Sequence, residues 1–375
     1  MARGLTGQDM ERLSVVGGGV IGCLTALQLL ERGYAVSLFD KGLTGKESSW
    51  AGGGIVSPLY PWRYAEPVSA LAEASQVAYP LLNSRLFEAT GIDPEFTPCG
   101  LLWLDHSEQK TALEWACAHA KPIVEVDQHF IYRQVPQLRQ GYSRALWQAD
   151  LANVRNPRLM RALRARLLQF PHFQLHEQSP VDGLLIEQGR VCGVRCGDAR
   201  IPSGAVVLAA GAWSGDWLAE LGLALPVKPV KGQMLLYRRA PGWLPSMVLF
   251  DGRYAIPRRD GHILIGSTLE HAGFDYSTTD AALASLRASA EALLPDLADN
   301  QPVAQWAGLR PGSPDGVPFI GAVPGYDGLW LNAGHYRNGL VLAPASCALL
   351  ADLISGSKPL IDPAAYNPAG RLQAL

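Results

Sequence analysis

Several catalytic signatures are missing from this chain of 375 residues. It has no Ser-His-Asp spacing, no HExxH, no pair of C-x-x-C motifs and no Walker loop, which leaves hydrolase and kinase chemistry without a footing. An excess of one charge is also absent. Lys+Arg number 32 against 34 Asp+Glu, for a net charge of −2 and a pI near 6.5, so there is no basic footprint for nucleic acid or an anionic membrane. No stretch reaches the roughly 18 uncharged apolar residues of a spanning helix; the apolar run 339–354 is short and contains Pro344 and Asp352. Cysteine is sparse, six in all, and Cys192-x-x-x-Cys196 has no second ligand pair nearby. Reduced structural thiols in a cytosolic enzyme are expected, and no metal site. Residues 13–30, behind Arg3 and Arg12, are uncharged like a signal-peptide core. They hold four glycines in motif spacing, lack a small-x-small cleavage site and end at Glu31-Arg32, so a cytoplasmic protein is expected. Repeats, charge blocks and low-complexity tracts are absent as well.

Among what is present, 48 % apolar and 18 % charged residues describe a globular protein with ample core, and the length predicts two domains. Residues 15–22 read VVGGGVIG, placing Gly17, Gly19 and Gly22 in a G-x-G-x-x-G directly after a short apolar run. Val20, Cys23, Leu24, Leu27 and Leu30 then repeat at helical spacing, Gly33 closes the helix, and YAVSLF leads to Asp40. This is the strand, tight turn, helix, strand and acid of a dinucleotide-binding unit. The glycines allow close approach to a pyrophosphate, and the helix N-terminus offers N–H groups and positive potential. Asp40 is placed to accept from ribose hydroxyls and would repel a 2′-phosphate, which disfavours NADP. FAD and NAD both remain open on the motif alone.

Further along, helices are predicted over 71–86, 108–120, 158–169 and 281–294, and strands over 101–104 and 205–210. Residues 230–237, 247–251, 254–258 and 262–267 alternate as an antiparallel sheet separate from the parallel one. A strand over 329–333 precedes the apolar C-terminal helix. The nucleotide unit is thus assembled from separated pieces with an antiparallel sheet inserted. In the small-residue segment 48–54, SSWAGGG, the backbone can lie flat against a planar ligand.

Two arginines stand out. Arg310 lies in WAGLRPG, where flanking Gly and Pro predict a turn, and Arg337 lies between the last strand and the last helix. Two guanidinium forks converging on a carboxylate would hold an amino or hydroxy acid; two unrelated surface arginines fit the local sequence equally well. His335 reads as a hydrogen-bonded structural residue, Tyr254 as a packing residue whose hydroxyl reaches a bound carboxylate, and Lys231, Gln233 and Arg258 as solvated or structural. The helix opening at Gly339 would set its N–H groups against a reduced flavin's negative edge.

With VVGGGVIG at the start, WAGLRPGSPDGVPFIG at 306–321 and AGHYRNGLVLAP at 333–344, the chain resembles, over essentially its whole length, the D-amino acid oxidase group of FAD-dependent amine oxidases, nearest its glycine-oxidising members. The resemblance implies an α/β chain (α+β overall). A discontinuous Rossmann-like FAD-binding domain would take residues 1–80, 145–215 and 305–375. A substrate domain on an antiparallel sheet would take 81–144 and 216–304. It implies noncovalent FAD held by Gly17, Gly19, Val20, Ile21 and Gly22 at the pyrophosphate and by Asp40 and Lys41 at the ribose. Glu47, Ser48, Gly52, Gly53 and Gly54 would lie along the flavin, Val181 at the adenine, and His335, Tyr336, Arg337, Asn338, Gly339, Leu340 and Val341 around the ring system. Arg310, Arg337 and Tyr254 would bind the substrate carboxylate, with no residue acting as acid or base. The implied reaction is hydride transfer from glycine, sarcosine or D-alanine to flavin N5. It yields a 2-oxo acid such as glyoxylate, ammonia and, with molecular oxygen, hydrogen peroxide, and it resembles the step that supplies thiamine thiazole synthesis. A homo-oligomer with no nucleic-acid or membrane partner is expected. Two departures stand: Trp50 and three glycines replace the alanine-rich run of relatives, and Cys347 does not match the cysteine that holds FAD covalently in sarcosine-type oxidases. Competing readings are a quinone-linked D-amino acid dehydrogenase, a tRNA-modifying flavoprotein domain and a nucleotide-binding protein without turnover.

Overall fold

A computed structural model describes residues 11–104 and 107–375; Arg3, with the rest of the first ten residues, lies outside it. The strand Arg12–Val16, buried over its last four residues, runs into Gly17 at φ +107°, and the helix Val20–Glu31 starts after Gly19. Gly33 follows that helix at φ +87° and turns the chain into the strand Ala35–Phe39, the left-handed position that only glycine takes without strain. Nine of the helix's twelve residues are buried, more than a one-faced stripe requires. The reason is the apolar C-terminal helix Gly339–Ser355, which packs on it and also on the long helix Glu66–Thr90. Each fully buried Leu in this cluster contributes about 1.5–3 kcal/mol of transfer free energy.

The first large sheet has six strands in the order Phe319–Ala322, Leu329–Ala333, Ala205–Leu208, Arg12–Val16, Ala35–Phe39 and Phe173–His176. All pairs are parallel except the first. The second has eight strands in the order Ala304–Gly312, Lys228–Arg238, His262–Gly266, Arg253–Pro257, Met247–Phe250, Leu101–Trp103, Arg144–Gln148 and Val124–Asp127. It is antiparallel apart from the pair Met247–Phe250 and Leu101–Trp103.

Three expectations change here. The segment read as a turn around Arg310 is a strand, Ala304–Gly312, paired along its length with Lys228–Arg238. It lies at the edge of its sheet, where a proline such as Pro311 forfeits no ladder hydrogen bond. That strand and Arg144–Gln148 belong to the eight-stranded sheet, whereas the expected partition gives both to the cofactor half. Finally, the run Tyr336–Ser355 is long and apolar enough, by length and composition, to cross a membrane once its charged residues are tolerated. Over half of it is buried against the helices named above, as in a core helix.

Candidate active site

A cavity of about 460 Å³ is lined both by the glycine-rich turn and by the two arginines. Of the residues expected at the site, Gly17, Gly19, Val20, Ile21, Asp40, Lys41, Glu47, Ser48, Gly52, Gly53, Gly54, Val181, Tyr254, Arg310, His335, Tyr336, Arg337, Gly339, Leu340 and Val341 all line it. Gly22 and Asn338 stand behind the wall. A Cβ on Gly22 would strike the Gly17 carbonyl, so its role is helix-to-turn packing.

At one end the backbone is drawn tight. A Cβ on Gly17 would strike the Ala209 carbonyl, while one on Gly19 would meet only Ser49 Oγ at 3.1 Å. Asp40 accepts from the Gly18 and Gly42 N–H groups, each at 2.7 Å. It therefore fixes the turn, and a carboxylate's four or so acceptor positions leave capacity for hydroxyls. Ser49 Oγ accepts from Val20 N–H at 2.8 Å, and Asn156 Nδ2 donates to the Ser49 carbonyl at 3.0 Å. Asn156 lines the cavity, and its buried Oδ1 has no hydrogen-bond partner among the described residues. A buried orphan acceptor beside a cavity fits a ligand that brings a donor. Lys41 Nζ sits 3.2 Å above the Trp213 ring, another lining residue. In the sequence Ser49 is marked only as part of the small-residue segment 48–54 and Asn156 only as the helix start Asn156-Pro157, while Trp213 carries no motif.

The other end belongs to the eight-stranded sheet. Arg310 Nη1 donates to the carbonyls of Lys231 (3.2 Å) and Thr268 (3.3 Å), and Nη2 donates to Ser267 Oγ (2.6 Å). Its guanidinium lies over Gly232, where a Cβ would collide with it. Burial pushes the Arg310 pKa down, Arg337 pushes the same way by like charge, and Tyr254 opposes both. All three side chains line the same cavity. Neither arginine has a carboxylate partner among the described residues, and half-buried Arg337 has no hydrogen-bond or ion-pair partner there at all. Two cations that line one cavity, neither paired with a carboxylate, leave their charge available to an anionic ligand.

Tyr254 is clasped between glycines: a Cβ on Gly53 would fall 3.2 Å from its ring, and one on Gly266 2.6 Å from it. Its hydroxyl donates to Met234 Sδ at 3.2 Å. Arg258 is buried rather than solvated, donating to Asn153 Oδ1, the Val154 carbonyl at 2.9 Å and the Gly53 carbonyl at 2.8 Å. It pins the glycine segment to the sheet, and burial lowers its pKa to about 10. Lys231 is likewise buried, 2.8 Å from Asp275, and Gln233 bonds Glu270 and Thr279. His335 is 1 % exposed, shares a 3.1 Å hydrogen bond with Ser346 Oγ, and burial lowers its pKa to about 3. It is a neutral structural residue.

A family model described as "FAD dependent oxidoreductase" matches residues 12–353. The chain belongs to this family. Its cofactor is FAD, which, when bound, would accept two electrons as a hydride. The chain is 62 % identical over 362 residues to the glycine oxidase of Pseudomonas aeruginosa, a match covering 96 % of this chain and all of that one. The crystal structure of glycine oxidase from Geobacillus kaustophilus superposes with a TM-score of 0.89 at 30 % identity, covering 96 % of this chain and 98 % of that one. A "Bifunctional protein ThiO/ThiG" of Trichormus variabilis is 34 % identical over 94 % of this chain but 54 % of its own length.

Two side chains of the types that form covalent flavin links, Cys347 and His335, are turned to other partners. Cys347 is buried with Sγ on the Ile21 carbonyl at 3.2 Å, and the His335 ring is bonded to Ser346. Acid precipitation of the yellow protein is therefore expected to leave a colourless pellet and release all of the flavin. A pellet that stays yellow after washing would contradict this.

Proposed function

We propose that this family member oxidises glycine, and with it sarcosine and D-alanine, to the 2-oxo acid, the freed amine (ammonia, or methylamine from sarcosine) and hydrogen peroxide. The observation that carries the reading is the pair Arg310 and Arg337, two cations with no carboxylate partner among the described residues, in the cavity that the glycine-rich turn also lines. In this proposal Gly17, Gly19, Val20 and Ile21 hold the FAD pyrophosphate, with Gly22 packing the helix against the turn behind them, and Asp40 and Lys41 hold the ribose. Val181 holds the adenine. Glu47, Ser48, Gly52, Gly53 and Gly54 flank the flavin on one side, and His335, Tyr336, Arg337, Gly339, Leu340 and Val341 on the other, with Asn338 behind them.

The substrate carboxylate sits between Arg310 and Arg337 with the Tyr254 hydroxyl donating to it. Fixing the carboxylate fixes the α-carbon, and orientation supplies much of the rate. The surrounding apolar wall keeps water from the reacting carbon. The amine arrives neutral, so no side chain has to remove a proton from carbon; neutral His335, engaged with Ser346, is not cast as a base. The glycine oxidase relatives support the substrate class, and the half-length match to the bifunctional relative supports a place in thiamine thiazole supply. The balanced charge supports a cytoplasmic enzyme, taken here as a homo-oligomer, with neither nucleic acid nor membrane as partner.

A peroxide assay across glycine, sarcosine, D-alanine and D-proline tests the proposal. Glycine is expected to yield equimolar peroxide and glyoxylate, and D-proline the least product. Dye reduction without peroxide would instead point to a quinone-linked dehydrogenase, and no turnover of any of the four would refute the reading.

A further inference from the structure

The strand Lys228–Arg238 presents alternate residues to the cavity. Gly232 leaves room for the Arg310 guanidinium, and Met234, two residues on and so on the same face, fills the next position. The chain has five methionines. Of those in the described residues, Met160, Met234 and Met247 are all buried, and Met234 alone lines the cavity. Its thioether is at once the resting acceptor of the Tyr254 hydroxyl, at 3.2 Å, and a wall of the chamber in which the proposed reaction releases its oxidant. Thioether sulfur is a weak acceptor. The hydroxyl therefore exchanges it readily for a charged carboxylate when substrate enters.

We propose that Met234 is a product-sensitive modification site: hydrogen peroxide formed in the cavity oxidises its sulfur to the sulfoxide and thereby weakens substrate binding. This rests on the peroxide-forming reading above. The sulfur lone pair attacks one peroxide oxygen, an S–O bond forms as the O–O bond breaks, and the second oxygen leaves as water after proton transfer. The thioether loses two electrons and peroxide gains them, so no further reagent is needed. Two consequences follow from the geometry. The sulfoxide oxygen is a strong acceptor and retains the Tyr254 hydroxyl that the substrate carboxylate needs. The added atom also has little room, since Met234 Sδ lies only 2.3 Å from where a Cβ on Gly266 would be. Losing one hydrogen bond to a charged group corresponds to a rise in glycine KM of roughly tenfold, with no loss of FAD.

The test uses the FAD-loaded full-length enzyme in three arms: glycine with air, glycine with air and catalase, and added hydrogen peroxide without glycine. Peptide mass spectrometry reads the gain of one oxygen at Met234 against Met160 and Met247, and glycine KM is measured at each time point. Met234 is expected to oxidise ahead of both other methionines in the first and third arms, with KM rising in step. Catalase in bulk solvent is expected to protect only in part. Met234→Leu, whatever its starting KM, is expected to show no further peroxide-dependent rise. The third arm stands apart from the functional reading: no peroxide in the first arm would refute the proposed activity, while the third arm still tests the thioether. Oxidation of Met234 no faster than of Met160 and Met247, or an equal KM rise in Met234→Leu, would overturn the proposal.

Discussion

Replacing Arg337 with alanine is expected to raise the glycine KM by roughly a hundredfold while FAD remains bound. A guanidinium holding a carboxylate makes two charge-assisted hydrogen bonds, each worth about 1.5–3 kcal/mol. Because Arg310 still attracts the anion, the lower end of that range is the fair expectation for losing one fork. Arg337 is the cleaner test of the pair because it has no hydrogen-bond or ion-pair partner among the described residues, so its loss orphans no protein group. Arg310→Ala is expected to raise KM at least as much, but it also strips a donor from the Lys231 and Thr268 carbonyls and from Ser267, and some thermal stability goes with it. Lysine at either position restores charge without the planar fork and is expected to recover only part of the affinity. Steady-state kinetics at saturating oxygen, with flavin content measured on the same samples, provides the check. Unchanged KM in both alanine variants would remove the arginines from the substrate site.

Gly17→Ala is expected to give a folded protein that no longer retains FAD. Gly17 stands at φ +107°, where an L side chain is strained, and its Cβ would strike the Ala209 carbonyl of the neighbouring strand end. Strain of this kind costs of order 1–3 kcal/mol. Relief requires moving the turn away from the sheet, which withdraws the N–H groups at the start of the helix Val20–Glu31 from the cavity. Circular dichroism is expected to keep its shape, while gel filtration yields a colourless protein. A yellow variant with the wild-type flavin content would show that the turn does not carry the cofactor.

What the sequence discloses and what it hides divide along the range of the interactions. The turn at Gly17, its helix and the close at Gly33 are legible because every determinant lies within about twenty residues and the backbone itself demands glycine. The strand around Arg310 is not. Gly308, Pro311 and Gly312 look like breakers, and only the edge position in a sheet formed by distant strands excuses them. Val124–Asp127 alternates valine and acid, but over only four mostly exposed residues, the shortest run that carries a strand signal. Lys231 and Arg258 look solvated in isolation because their partners are remote: Asp275 lies 44 residues away and the Gly53 carbonyl 205. Met234 has no local mark at all; its meaning comes from Tyr254 and the cavity. The convergence of Arg310 and Arg337, undecidable from local sequence, becomes a statement about neighbours once the two sheets are in place.

The central claim is that FAD and the carboxylate clamp act together on glycine. Anaerobic addition of glycine to the yellow protein tests it most directly. The visible flavin absorbance is expected to bleach, and admission of air to restore it with equimolar hydrogen peroxide. Colour that survives excess glycine would contradict the account, as would bleaching that air cannot reverse.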